Sequence, residues 1–154
     1  MAMSNFEKIL SEFPSGIETV FPKGEYDGRL AALRKSMSSK GIDLLLVNGP
    51  ENIYYLTGQQ TPGYYTFQCL CVPVEGDPFH VLRNLEVINC RANTFLDDIT
   101  GYADNENPAE TLAKALKDRG WQGKRVAADR KSWFLTVDFF AQLEKALGTL
   151  LDGS

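Results

Sequence analysis

The hydrophobic positions between residues 26 and 40 recur at helical spacing. They fall three or four residues apart, at Tyr26, Leu30, Leu33 and Met37. Arginines and lysines occupy the other face, as expected for a helix that packs one side on a core. Basic residues late in the segment and Gly41 just after it are typical of a helix C-terminus. The pattern predicts a helix from Tyr26 to Lys40.

A nearly continuous apolar run, Ile42 to Val47, follows this helix. Runs of this length without polar alternation are typical of strands in a sheet that helices cover on both faces. We therefore expect a central strand of the parallel type. The chain then turns, Pro50 suits the first position of a short helix, and Gly58 suits its end. Residues 59–63 are predicted to form a loop.

The next segment alternates between two apolar faces. Phe67, Cys69 and Cys71 alternate with Leu70, Val72 and Val74. Turn residues at positions 75–78 separate this run from a second one, Phe79 to Leu82, and the two runs together predict a β-hairpin. Because proline lacks a backbone N–H, Pro73 suggests that the late part of the first strand lies toward a sheet edge.

The remaining elements alternate between helix and strand. Residues 85–92 favour a helix, residues 95–102 contain a strand, and residues 125–128 are typical of a buried strand. Asn107 and Pro108 mark a helix start, and Gly120 marks its stop. Thr136 begins a last helix, whose inward positions are predicted to be Val137, Phe140, Leu143 and Leu147. This order predicts the α/β class, with a mixed β-sheet flanked by helices.

The two ends of the chain fall outside this alternation. Phe6, Ile9, Leu10 and Phe13 recur at helical spacing before a Pro-Ser-Gly break, which predicts a short leading helix or arm. Residues after Gly148 are predicted to be a short stub beyond the last helix, at a point where a longer protein would continue.

Composition narrows the class of protein. The chain has 154 residues, enough for one domain with a hydrophobic core, and 44% of them are hydrophobic. Its net charge of -4 and the lack of a basic block argue against a nucleic-acid partner. Apolar runs are too short to cross a membrane. Three cysteines in a chain of this size favour a reducing compartment, so cytoplasmic location is expected.

Most catalytic templates are absent from the sequence. His80 is the one histidine, and in mid-strand it is expected to be a packing or surface residue. No phosphate-binding glycine loop and no Gly-x-Ser-x-Gly elbow occurs. Cys69 and Cys71 are expected to be buried small hydrophobes, because two cysteines and one distant histidine make a poor zinc site. Asp97 and Asp98 are adjacent in a predicted strand and therefore poorly placed to share a metal ion.

One loop carries an unusual mixture of polar and aromatic residues. It runs from Gln59 through Gln60 to Tyr64 and Tyr65, and loops of this kind at a sheet edge often carry recognition. The plainer alternative is that both tyrosines pack at the entrance of the strand. Arg83 and Glu86, just after the hairpin, are a weaker second candidate, with a simple surface-charge role as the alternative.

The segment from residue 24 to residue 58 resembles the N-terminal domain of the creatinase and prolidase family. The resemblance rests on Tyr26, Arg29, Leu33 and Met37 of the first helix, on the run Gly41 to Val47, and on Pro50-Glu-Asn-Ile followed by Tyr-Leu-Thr-Gly58. It covers residues 24–58 motif by motif, and the later element order agrees to about residue 147. The first twenty residues lie outside it.

The resemblance implies a ribonuclease-H-like α/β domain that precedes a separate catalytic domain. In the family, two Asp, one His and two Glu of that second domain hold two divalent metal ions such as Mn, Co or Zn, whereas creatinase uses no metal. Cofactors are therefore expected to be absent from this chain itself. The family also implies a second subunit, with a homodimer expected, and a loop after Tyr-Leu-Thr-Gly58 that reaches a partner subunit's active site.

These implications give an interpretation of the domain organisation of the whole chain. Residues 1–23 are an arm, residues 24–148 the creatinase/prolidase N-terminal domain, and residues 149–154 a stub before a catalytic domain. The chain alone is expected to be non-catalytic, and its parent a metal-dependent Xaa-Pro dipeptidase, aminopeptidase or related hydrolase of small peptide or amide substrates. Creatine is disfavoured, because creatinase uses an aromatic residue and an arginine here and this loop has no arginine.

The candidate site residues and two rival functions remain open at this stage. Substrate contacts are expected at Gln59, Gln60, Tyr64, Tyr65 and Arg83. An interaction module of a catalytically inactive relative is the rival function. A small α/β domain with a ligand pocket of its own is the third hypothesis about function.

Overall fold

The computed structural model describes Glu12 and residues 14–154. The predicted leading helix with Phe6 and Ile9 lies outside the described residues. The helices are α1 (Lys23–Lys40), α2 (Pro50–Thr57), α3 (Val87–Asn93), α4 (Pro108–Asp118) and α5 (Val137–Leu147). The strands are β1 (Leu44–Val47), β2 (Gln68–Pro73), β3 (Phe79–Arg83), β4 (Ile99–Tyr102), β5 (Val126–Ala128) and β6 (Leu151–Asp152). Two 3₁₀ turns cover Pro62–Tyr65 and Asn84–Glu86.

Helix boundaries follow the capping residues that the sequence indicated. Gly41 ends α1 in the left-handed region at φ 65°, and its N–H donates to the carbonyls of Met37 and Ser38. Asn107 caps α4, because its Oδ1 accepts from Ala109 N at 2.9 Å. Thr136 caps α5 in the same way. Local capping chemistry therefore sets where these helices begin and end.

The six strands form one mixed sheet in the order β4-β3-β2-β1-β5-β6. The pairs β1/β2 and β2/β3 are antiparallel, whereas β1/β5, β3/β4 and β5/β6 are parallel. The predicted α/β class with a mixed, helix-flanked sheet is thus confirmed. The central strand β1 is parallel to one neighbour only, so its all-apolar sequence reflects burial on both faces rather than strand direction.

The edge position suggested for the strand carrying Pro73 is wrong. Strand β2 lies inside the sheet, between β1 and β3. Pro73 is its last residue, paired with Leu44, so the missing N–H falls where the ladder ends. The Pro73 carbonyl accepts a hydrogen bond from Arg34 Nε at 3.1 Å, which joins the end of β2 to α1.

Each face of the sheet has its own hydrophobic core, and adjacent residues of the hairpin contribute to different ones. Cys69 and Cys71 pack with α4 and α5, whereas Leu70 and Val72 pack with α1 and α2. The alternation predicted for residues 67–74 is confirmed. All three cysteines are buried free thiols.

Helix α5 differs from the sequence expectation at its first residue. Val137 is 88% exposed instead of facing inward. Phe139 takes the inward position and stacks on Phe67, with ring centroids 4.1 Å apart. The inward side of the helix is therefore formed by Leu143, which is buried, and by the partly buried Phe139, Phe140 and Leu147, whereas Val137 faces solvent.

Residues 149–154 fold back onto the sheet. Leu150 is buried in the α4/α5 core. β6 pairs with β5, and Gly153 N donates to the Ala128 carbonyl at 2.9 Å. A two-residue strand gives little periodic signal, which is why the sequence alone pointed to a stub.

Candidate functional site

The candidate site lies at the sheet edge where β1 and β5 end and β2 begins. Parallel pairing of β1 with β5 and antiparallel pairing with β2 bring these three points together. Asn48, directly after β1, is buried and donates from Nδ2 to the Gln68 carbonyl at 2.8 Å. This bond holds the start of β2 against the end of β1.

The loop after α2 is shaped by a glycine that no other residue replaces easily. Gly58 ends α2 at φ 84°. A Cβ at this position would lie 2.5 Å from Tyr26 Oη and 3.0 Å from the Asn93 carbonyl oxygen. The chain can therefore turn out of α2 beneath α1 and α3 only without a side chain here. Thr57 Oγ1 then accepts from Gln59 N at 3.2 Å and fixes the first loop residue.

Contacts with the segment after β3 fix the rest of the loop. Thr61 caps the 3₁₀ turn by accepting from Gly63 N at 2.9 Å, and its hydroxyl donates to the Glu86 carboxylate. Asn89 Nδ2 donates to the Gln60 carbonyl. Glu86 is buried, so this weaker sequence candidate acts as a clamp on the loop. The clamp presents the tyrosines of the turn to solvent.

Tyr64 and Tyr65 are exposed at the tip, by 51% and 74% respectively. Their ring centroids lie 6.2 Å apart at an interplanar angle of 79°. Tyr64 also meets Phe134 edge-on, at 6.3 Å and 83°. Both rings therefore lie largely at the surface instead of being buried at the strand entrance.

A groove of 540 Å³ runs alongside this loop. Its lining residues are Pro50, Glu51, Tyr54, Gln59, Gln60, Thr61, Tyr64, Gln68 and Phe134. Gln59 and Gln68 are buried, yet the amide nitrogen and oxygen of each lack a hydrogen-bond partner among the described residues. Buried carboxamides without partners are rare and costly, so these two residues are unusual features of the groove wall.

The five residues expected from the sequence fall into two groups. Gln59, Gln60 and Tyr64 line the groove together, and Tyr65 lies beside Tyr64. Arg83 does not line it. Instead its Nε and Nη2 each lie 2.5 Å from a carboxylate oxygen of Asp104. This pairing raises the pKa of Arg83 and lowers the pKa of Asp104.

Sequence reasoning missed four contributors to the groove. Gln68 was detectable as a polar residue opening an otherwise apolar strand, although the alternation assigned it no role. Glu51 is one of the motif residues of α2 and Tyr54 lies within that motif, but the motif assigned neither of them a role in a site. Phe134 carries no local signal, because only the β1/β5 pairing brings its segment to the loop.

The other chemically suggestive residues serve packing or ion pairing. Asp97 and Asp98 precede β4 rather than lying in it; Asp98 pairs with Arg119, and Asp97 accepts from Ser15 Oγ at 3.4 Å. Among residues 12 and 14–154, no three or more His, Cys, Asp or Glu side chains gather where they could hold a metal ion. Within the same residues, every helix is too short or too polar to cross a bilayer.

A comparison with known protein families identifies the family to which this chain belongs. The family model described as the creatinase/prolidase N-terminal domain matches residues 29–154. The chain belongs to the creatinase/prolidase family and is its N-terminal domain. Among curated proteins, this creatinase/prolidase domain is 30% identical to the ectoine hydrolase of Halomonas elongata over 136 residues, covering 82% of the chain and 34% of that protein.

Solved structures agree with the creatinase/prolidase fold. The dipeptidase PepE of Mycobacterium ulcerans superposes with a TM-score of 0.70 at 24% identity, over 86% of this chain and 35% of that one. The N-terminal domain of the Xaa-Pro dipeptidase of Lactobacillus brevis gives 0.70 at 24% identity, over 80% of this chain and 90% of that domain. The chain thus spans about a third of the length of the multidomain relatives it matches.

Proposed function

We propose that this creatinase/prolidase N-terminal domain is the non-catalytic part of a hydrolase of Xaa-Pro peptides or related C–N bonds. In this proposal it supports oligomerisation and lends the loop from Gln59 to Tyr65 to a substrate pocket. The observation that carries the proposal is the groove beside this loop, where Gln59 and Gln68 keep unpartnered amides next to exposed aromatic rings.

The energetics of the groove support a ligand-binding role. Each buried polar group without a partner costs about 1–3 kcal/mol, and a ligand that supplies partners recovers part of this cost. The described residues that line the groove include no acid–base pair and no nucleophile with a partner, and the proposal gives the groove a role in recognition. Cleavage is therefore assigned to the catalytic domain of the parent protein.

The metal chemistry of the proposed hydrolase is assigned to that same domain. Two divalent ions, with Mn, Co or Zn as candidates, would need several carboxylate and histidine ligands. Residues 12 and 14–154 do not gather such a set. The groove residues are carboxamides, aromatics, a proline, a threonine and one carboxylate, which do not form a divalent-metal site.

Exposed apolar side chains support the subunit-contact part of the proposal. Trp133 is 95% exposed and Val137 is 88% exposed, and both flank the Phe134 side of the groove in sequence. Aromatic residues at the surface are enriched where proteins meet. We therefore assign this side to contact with the protein's own catalytic domain or a second subunit, in a homodimer.

The test uses the parent protein, in which this chain is joined to its natural continuation. Tyr64→Ala is expected to lower kcat/KM on its peptide substrate about tenfold, which corresponds to about 1.4 kcal/mol of lost binding in the transition state. The melting temperature should stay unchanged, because the ring is half exposed. Tyr55→Ala is the matched control, since Tyr55 is 54% exposed and outside the groove.

Three outcomes would contradict the proposal. Equal loss of kcat/KM in both variants would show that the effect is general. An unchanged kcat/KM in Tyr64→Ala, with weakened subunit association, would favour the interaction module instead. Hydrolysis of an Xaa-Pro dipeptide by the 154-residue chain supplied with manganese or cobalt would overturn its non-catalytic assignment.

A further inference from the structure

The segment after β3 holds the loop after α2 at three points. The Glu86 carboxylate accepts a hydrogen bond from the Thr61 hydroxyl, and Asn89 Nδ2 donates to the Gln60 carbonyl. The backbone of Gly63 lies directly against Glu86, since a Cβ on Gly63 would be 2.6 Å from Glu86 Cδ. Glu86 takes part in two of these contacts, so it makes the larger share of the attachment.

Thr61 connects Glu86 to the backbone beside Tyr64. The Thr61 hydroxyl donates to Glu86, and its oxygen accepts from Gly63 N at 2.9 Å. A hydroxyl that donates to a carboxylate becomes a better acceptor, so the two bonds strengthen each other. The Gly63 carbonyl in turn accepts from Thr66 N at 2.9 Å and from Thr66 Oγ1 at 2.7 Å. Tyr64 thus belongs to a short segment whose backbone is held at both ends.

A buried glutamate is an unusual residue for such an attachment. Glu86 is 8% exposed and is the one buried carboxylate of the described residues. Within the same part of the chain, no lysine, arginine or histidine forms an ion pair with it. Buried carboxylates are normally paired with a cation, because removing a charge from water is costly. A glutamate that is kept at this cost points to a role other than stability.

The structure beneath Glu86 fixes its position. Glu86 directly precedes Val87, which forms a small hydrophobic cluster with Leu82 and Cys90. The segment also lies close to β4, since a Cβ on Gly101 would be 3.1 Å from Val87 Cγ2. The packed sheet therefore gives Glu86 a fixed base, and Glu86 passes this fixed position to the loop.

We propose that Glu86 is a positioning residue for substrate recognition, which holds the loop so that Tyr64 is in place before a ligand arrives. Glu86 does not line the groove, so it acts through the loop. A loop that is already in place needs no ordering on binding, whereas a loop that is in place for a fraction of the time binds more weakly by that fraction. This inference rests on the proposed role of the loop in a substrate pocket.

The first test uses the 154-residue chain and does not depend on any activity. Glu86→Ala should shift the amide signal of Gly63 in nuclear magnetic resonance spectra and speed its hydrogen exchange about fivefold, because the bond to Thr61 is lost. Glu86→Gln keeps an acceptor oxygen for Thr61 and should retain most of the protection. Glu106→Ala is the matched control, since Glu106 is an exposed glutamate that accepts from a backbone N–H of another turn.

The second test measures kcat and KM of the parent protein on its peptide substrate. Glu86→Ala should raise KM about fivefold and change kcat less than about twofold, because fewer molecules hold the loop in place. Glu86→Gln should return KM to within about twofold of the original value. A purely structural role would instead lower the folded fraction, which reduces kcat per mole of protein and leaves KM unchanged. If Glu86→Ala does not fold, Thr61→Val removes the same hydrogen bond from the other side.

A double variant tests whether Glu86 acts through Tyr64. Tyr64→Ala alone is expected to lower kcat/KM about tenfold, and adding Glu86→Ala should leave the loss near tenfold. A loss near the product, about fiftyfold, would show independent effects and overturn the positioning role.

Other results separate this inference from the proposed function. Unchanged Gly63 exchange in Glu86→Ala would overturn the positioning role. So would an unchanged KM in that variant when Tyr64→Ala does lower kcat/KM. Normal kinetics of Tyr64→Ala, together with a displaced loop in Glu86→Ala, would refute the proposed function of the loop and its use in recognition, although Glu86 would still be shown to hold the loop.

Discussion

At the scale of single residues, His80 is the clearest case of a chemically capable group used for packing. It is fully buried in β3, with Nδ1 3.5 Å from Cys90 Sγ, and Nε2 has no partner among the described residues. Burial lowers the pKa of His80 to about 3 and raises the pKa of the Cys90 thiol to about 12. Both groups are therefore neutral at physiological pH, and the packing role expected from the sequence is confirmed.

This burial predicts a pH dependence of stability. The folded pKa of His80 lies below the unfolded value of 6.5, so the unfolded chain gains a proton as pH falls through 6.5 while the folded chain does not. The free energy of unfolding should fall by about 2 kcal/mol between pH 7 and pH 5. Urea titrations at both pH values measure it. His80→Gln, neutral at both, should remove most of this fall; the same fall in the variant would assign it to other groups.

The lowered pKa values of Asp104 and Asp43 do not contribute to the change in stability between pH 7 and pH 5. Arg83 holds the pKa of Asp104 below its usual range, and hydrogen bonds from Arg125 do the same for Asp43. Stability that depends on a lowered carboxyl pKa is present above the unfolded value of 3.8 and is lost only as pH falls below it. At pH 5 these groups remain ionised in both states.

At the scale of elements, most of the architecture was predictable because its signals are local. Caps such as Gly41, Asn107 and Thr136 act within one helical turn, and the alternation of β2 is readable within six residues. The features that the sequence did not predict depend on contacts with distant parts of the chain. Strand β6 exists because β5 pairs with it, and Pro73 is internal because β2 gains β1 as a neighbour.

The groove residues also divide into those that a local sequence signal indicated and those that distant contacts bring to the groove. The loop residues Gln59, Gln60 and Tyr64 follow a recognisable helix end, so the sequence indicated them as a unit. Gln68 and Phe134 join them only through strand pairing, and Arg83 is drawn away by Asp104. Side-chain chemistry was visible in the sequence, whereas its assembly into one site was not.

The end of α2 supplies a prediction at this scale. Gly58→Ala should lower the free energy of unfolding by about 2–4 kcal/mol, because it combines left-handed strain with the contacts to Tyr26 Oη and the Asn93 carbonyl. Gly76→Ala is the matched control: its φ is 96°, but a Cβ there meets nothing within 4 Å. It should cost about 1–2 kcal/mol. Urea denaturation of both variants measures the difference, and equal costs would mean that the packing around Gly58 yields freely.

At the scale of the whole molecule, the sheet lies between the two larger hydrophobic clusters of the described residues. Alternate residues of β1 divide between them, with Leu44 and Leu46 in the α4/α5 core and Leu45 and Val47 in the α1/α2 core. The C-terminal segment completes both sides, since Leu150 enters the first core and Gly153 packs against Leu45 of the second. Residues 149–154 therefore act as part of the domain in this structure.

This role of the C-terminal segment can be measured with a matched pair of leucines. Leu150→Ala should lower the free energy of unfolding by about 2–4 kcal/mol, because it leaves a cavity in the α4/α5 core. Leu151→Ala should cost less than about 1 kcal/mol, since its side chain is exposed on the edge strand. A chain ending at Gly148 should lose at least as much as Leu150→Ala, because it also loses the bond from Gly153 N to Ala128. Chemical denaturation of the three variants beside the 154-residue chain decides the matter: equal, small effects would mean that the segment does not dock in solution.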